Sequence, residues 1–75
     1  MAKKNEVHIT PDKNSKLWEV IHNKVLVTHV ATQKEAIQVG RTLAKESKAE
    51  LVIHGKDGKI RKKDSFGNDP NPPKG

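Results

Sequence analysis

The sequence has no cysteine and no tyrosine, and only one tryptophan and one phenylalanine among 75 residues. Without cysteine, disulfide stapling, thiolate chemistry and cysteine-ligated zinc are excluded. Nothing therefore ties the chain to an oxidising compartment. The scarcity of aromatics removes the stacking platforms that read single-stranded nucleic acid. No stretch nears the roughly 18 apolar residues of a membrane span. The start, Met1 to Glu6, carries charge with no apolar run behind it, unlike a signal peptide. A cytoplasmic protein with no membrane partner is expected. The glycines fall singly, so neither a P-loop nor a dinucleotide fingerprint is present, and no cofactor is expected.

The length allows one domain, which buries only about 60% of the surface of its unfolded chain. With a hydrophobic fraction of 32%, the core must be small and mostly aliphatic. Such a domain is marginally stable unless a partner or second copy adds buried area. Lys and Arg number 15 against 9 Asp and Glu, for a net charge of +6. That sign suits nucleic acid or an acidic protein surface; it also simply keeps a small protein soluble.

Residues 1–5 read as a disordered N-terminus, 6–64 as a single domain and 65–75 as a Pro/Gly-rich tail. Glu6-Val7-His8-Ile9-Thr10 alternates as a strand does. Pro11-Asp12-Lys13-Asn14-Ser15 is turn chemistry. Lys16 to His22 and Val25 to Val30 read as two strands joined at Asn23-Lys24, since Asn tolerates positive φ. Counting outward from that loop sets His22 against Val25, Ile21 against Leu26, Val20 against Val27 and Trp18 against His29. One face of the hairpin then carries Trp18, Val20, Val25 and Val27. The other carries Leu17, Ile21, Leu26 and Val30, interrupted by Glu19 and Thr28.

Thr32-Gln33-Lys34-Glu35 is a capping box, in which Thr32 accepts from the Glu35 N–H and the Glu35 side chain returns to the Thr32 N–H. The helix it opens runs to Ser47 or Lys48, with Ala36, Val39, Gly40, Leu43 and Ala44 on one stripe. Gly40 on that stripe implies close packing on the sheet. Ala49 to His54 reads as a fourth strand, Gly55-Lys56-Asp57-Gly58 as a turn and Lys59 to Lys63 as a charged edge strand. The order β-β-β-α-β-β predicts an α+β two-layer sandwich, a mainly antiparallel sheet with one helix on one face. Whether the fourth strand joins the first or the third is open.

From Trp18 onward the chain resembles an uncharacterised bacterial family, domain of unknown function 2188. The resemblance rests on Trp18 and Val20, on Thr32-Gln33-Lys34-Glu35-Ala36, and on Leu51-Val52-Ile53-His54-Gly55 with Asp57-Gly58-Lys59-Ile60-Arg61. The tail Asp64-Ser65-Phe66-Gly67-Asn68-Asp69-Pro70 completes it, with Phe66 where members often have Tyr. It implies a small bacterial domain and supplies no activity, so no functional residue carries over.

The histidines His8, His22, His29 and His54 have no local ligand spacing, and neither a metal site nor an enzyme is expected. Two surfaces remain. Lys56, Lys59, Arg61, Lys62 and Lys63 oppose only Asp57 in the second hairpin. On a strand Lys59, Arg61 and Lys63 share a face and can track a phosphate backbone; the same row can simply keep an edge soluble. One helix covers one face, so Leu17, Ile21, Leu26 and Val30 on the other are candidates for homodimer formation.

Overall fold

The computed structural model describes residues 5–66. It contains β1 (Glu6–Pro11), β2 (Trp18–His22), β3 (Val25–Val30), α1 (Gln33–Ser47), β4 (Glu50–His54) and β5 (Ile60–Ser65). The strands form one five-stranded sheet in the order β3-β2-β1-β4-β5. Three pairings are antiparallel, and the central β1–β4 pair is parallel, with Val7 against Leu51 and Ile9 against Ile53. The fourth strand thus joins the first, and the fold is the expected α+β sandwich around a mixed sheet.

The first hairpin turns at Asn23 and Lys24, which both have positive φ (51° and 71°). That is the twist a two-residue loop needs to match its strands. Asn23 also locks the turn to β1: its side-chain oxygen accepts from the Glu6 N–H, and its own N–H donates to the Glu6 carbonyl. Asn5 is held too, donating from Nδ2 to the Ser47 carbonyl at 2.7 Å.

The expected register holds for His22–Val25 and Ile21–Leu26, then slips by one residue. Val20 faces Thr28, Glu19 faces His29 and Trp18 faces Val30. Val27 is the extra residue of a β-bulge, which alternation counting cannot detect because Val27 and Thr28 are both acceptable strand residues. The slip moves Val30 to the helix side, where it packs against the core, and sends His29 to the open side.

Helix α1 starts where its cap dictates. Thr32 is extended (φ −130°, ψ 157°), and its hydroxyl accepts from the Glu35 N–H at 3.2 Å. The return half of the box differs: the Glu35 carboxylate takes the Thr32 hydroxyl at 3.4 Å rather than the Thr32 N–H. Lys48, in left-handed conformation, ends the helix. Ala36, Gly40 and Ala44 form its buried stripe, and small residues there bring the helix axis close to the strands. Val7, Ile9, Val20 and Leu51 are fully buried beneath it, with Trp18 8% exposed. Phe66 packs against this same core from the end of β5, and its N–H donates to the Ala49 carbonyl. Ser65 is the last residue of β5. The rest of the expected flanks, residues 1–4 and 67–75, lies outside the described residues. No described helix is long and apolar enough to cross a membrane.

Candidate functional site

The helix contacts β1, β2, β3 and β4 but not β5. The last strand is therefore uncovered on both faces. Lys56, Lys59, Arg61, Lys62 and Lys63 are all exposed. A second bulge redistributes them: His54 pairs with Ile60, whereas Ile53 pairs with Lys62 and Val52 with Lys63. Ile53 belongs to the core cluster beneath the helix and Val52 does not. Lys62 consequently points to the helix side and Lys63 to the open side. Arg61, the extra residue, lies over Gly55, with its Nε 2.8 Å from where a Cβ would stand. The single-face row of Lys59, Arg61 and Lys63 does not form; the cations flank the strand on both sides. Acidic neighbours are few. Asp57 caps the Lys59 N–H, and Asp64 reaches Lys62 at 4.0 Å.

The opposite edge, β3, has the reverse character. Val25, Leu26 and Val27 are 65%, 47% and 49% exposed. Val27 also borders a shallow, mainly apolar groove with Gln38, Val39, Thr42, Leu43 and Glu46 of α1. Of the four residues expected to form an apolar second face, Val30 has gone to the core. Leu17 and Ile21 are half-buried, and Leu26 is the one that stays well exposed. Val52 is buried on the open side, flanked in the sheet by His8 and Lys63, whose long side chains can cover it. The apolar surface is thus the β3 edge and its groove rather than a sheet face. Val25, Val27 and Val39 were legible as aliphatic but not as exposed, because exposure depends on β3 being the outer strand.

The histidines fall into three settings. His8 and His54 stack with ring centroids 5.1 Å apart. The Gly58 carbonyl can only accept, so His54 Nδ1 donates to it at 2.9 Å; His54 Nε2 and His8 Nδ1 share a further hydrogen bond, also at 2.9 Å. His8 Nε2 stands 3.0 Å from Glu6 Oε1. His22 Nε2 meets Asn5 Oδ1 at 2.9 Å. His29 differs. Its Nε2 stands 3.3 Å from Glu19 Oε2 and 3.4 Å from Asp12 Oδ2. Asp12 itself is fixed by its loop, where Ser15 Oγ donates to Oδ2 at 2.8 Å and the Asn14 N–H to Oδ1 at 2.9 Å. The Ser15 hydroxyl, then the Asn14 N–H, hold its carboxyl below the usual value of 3.8. Sequence spacing hid this group, since a loop, a strand and a bulged strand each supply one member.

Residues 7–66 match the family of uncharacterized proteins conserved in bacteria designated DUF2188, and the chain belongs to it. No curated protein and no solved structure matches the chain.

Proposed function

We propose that this member of an uncharacterised bacterial family is a non-enzymatic interaction module that pairs with a second copy of itself along β3. One observation carries the reading: Val25, Leu26 and Val27, consecutive on an outer strand, are each about half exposed or more. An outer strand presents unpaired backbone N–H and C=O groups, and proteins usually blunt such edges with lysine, proline or a covering element. The β5 edge is blunted by Arg61, Lys62 and Lys63. The β3 edge, Val25-Leu26-Val27-Thr28-His29-Val30, has no Lys, Arg, Asp, Glu or Pro. One blocked edge and one open edge favour a closed two-fold pair over an open filament. Antiparallel pairing of β3 with its copy would set no like charges against each other within a chain of net charge +6. It would also bring Val27 of each copy towards the groove at Val39 and Leu43 of the other.

Half-exposed aliphatic side chains recover on the order of 1 kcal/mol each on burial. Doubled by symmetry, that offsets only the lower range of association costs, about 4–15 kcal/mol. With the backbone hydrogen bonds of the paired edges added, a weak dimer with a Kd of about 1 mM is the expectation. Sedimentation of the parent chain over a concentration series tests it, beside a Val27→Lys variant checked for folding by circular dichroism. The parent should shift towards twice 8.3 kDa and the variant should not. A parent that stays at one chain mass throughout refutes the reading.

A second reading rests on the uncovered β5. Cations on both sides of an edge strand suit loose, sequence-insensitive contact with a phosphate backbone, through Lys56, Lys59, Arg61, Lys62 and Lys63. Binding of labelled duplex and single-stranded oligonucleotides should fall steeply with salt and vanish when Lys62 and Lys63 become Glu. Absence of binding to either oligonucleotide at low salt removes this reading.

A further inference from the structure

We propose that Asp12, Glu19 and His29 form a binding site for a divalent cation of the zinc type, built where the β1–β2 loop meets the open side of β2 and β3. The three side chains each offer one ligand atom, and those atoms lie within 4.8 Å of one another. A zinc ion bonds imidazole nitrogen and carboxylate oxygen at 2.0–2.2 Å, so tetrahedral ligand atoms stand about 3.3–3.5 Å apart. The two contacts of His29 Nε2, at 3.3 and 3.4 Å, fall in that window.

The same distances are long for hydrogen bonds, which run to about 3.2 Å for N–H donors. Within the described residues His8, His22 and His54 all make ring hydrogen bonds of 2.9–3.0 Å. His29 makes none; instead two carboxylate oxygens flank one nitrogen at almost equal distance. A single N–H cannot point at both. A cation at bonding distance from all three satisfies the nitrogen and both oxygens at once, and it neutralises two negative charges held side by side.

The backbone builds the group. In an unbulged hairpin His29 would face Trp18, on the helix side. The extra residue Val27 shifts it across from Glu19, which also pairs with Thr10 beside the loop. Re-aiming one side chain is a recurrent use of bulges near functional sites. Asp12 is set from the other direction. Its N–H donates to the Leu17 carbonyl at 2.8 Å, and its carbonyl accepts from the Lys16 N–H at 3.0 Å. The Ser15 hydroxyl on Oδ2 leaves a lone pair of that oxygen for a metal and fixes the carboxylate, as outer partners of metal ligands do.

Three protein ligands leave a tetrahedral ion one position for water or for a group on a partner. The His29, Asp12 and Glu19 side chains are 34%, 19% and 25% exposed, so micromolar affinity is expected rather than that of a closed four-ligand site. The inference is independent of pairing along β3.

The test uses the untagged full chain, freed of metal by chelation and titrated with Zn²⁺ by calorimetry and with Co²⁺ by its tetrahedral visible bands. One equivalent should bind. His29→Gln should lower affinity more than about tenfold, Glu19→Gln should also weaken it, and His8→Gln should leave it unchanged. Zinc should move the His29 ring resonances and the amides of residues 28–30. Parent-like binding by His29→Gln overturns the inference, as does a zinc response centred on His8 and His54, or no stoichiometric binding at submillimolar metal. Circular dichroism confirms that each variant is folded, which the exposure of His29 favours.

Discussion

Replacing Gly40 with Ala sets two effects of known size against each other. In an isolated helix the change gains about 0.8–1.0 kcal/mol. Here a Cβ at position 40 would stand 2.5 Å from Ile9 Cδ1, 3.1 Å from Leu51 Cδ1 and 3.3 Å from Ile9 Cγ1. Carbon atoms rest about 3.5–4.0 Å apart, so the Ile9 methyl would have to retreat by roughly 1 Å. Ile9 and Leu51 are both 0% exposed and have nowhere open to go. Overpacking of this kind costs about 1–3 kcal/mol, so Gly40→Ala should be neutral to destabilising by up to about 2 kcal/mol, against its helix propensity. Ile9→Val removes the offending Cδ1 at a cost of about 0.5–1.5 kcal/mol alone. The double variant should be more stable than the sum of the singles by about 1 kcal/mol. Urea denaturation followed by Trp18 emission measures all four corners of the cycle. A Gly40→Ala protein stabilised by its full propensity gain, or strictly additive singles, would refute the argument that the helix lies too close for a methyl group.

Thr32→Ala should destabilise the chain by about 0.5–2 kcal/mol, because the Glu35 N–H loses its acceptor; an unchanged urea midpoint would contradict it. Thr32→Ser should retain most of the cap. Trp18→Ala should cost about 3–5 kcal/mol and leave so small a domain largely unfolded, whereas native Trp18 should emit at short wavelength; a red, water-like emission maximum would show that the ring is not in the core.

What could be read from the sequence was local. Thr32 and Glu35 at capping spacing fixed the helix start, Asn23-Lys24 fixed the first turn, and alternation placed Trp18 and Val20 inward. What escaped was set by one-residue slips and by distant partners. Two bulges, at Val27 and Arg61, overturned the faces assigned to Val30, His29 and the lysines of β5, since side-chain direction reverses with a single inserted residue. The parallel pairing of β1 with β4 carries no local signature, yet it makes β3 an outer strand and so exposes Val25, Leu26 and Val27. The grouping of Asp12, Glu19 and His29 needs the loop, the bulge and the cross-strand pair together, and residue spacing encodes none of these jointly.

The first strand of the chain is also the middle strand of the sheet. The meander from β1 to β3 contains only neighbours in sequence and can assemble quickly. The apolar flank of β1 stays raw until β4 arrives from some 40 residues further on, with loop-closure entropy lost before the contact rewards it. A chain emerging from the ribosome therefore holds an unfinished template for as long as α1 and β4 take to appear. Any extended apolar segment nearby can occupy the place of β4 in that interval. Pairing of β4 with β1 ends it, setting Leu51 against Val7 and Ile53 against Ile9 on the second flank of β1. Aggregation during synthesis, rather than loss of the finished fold, is then where changes in β4 should first be felt.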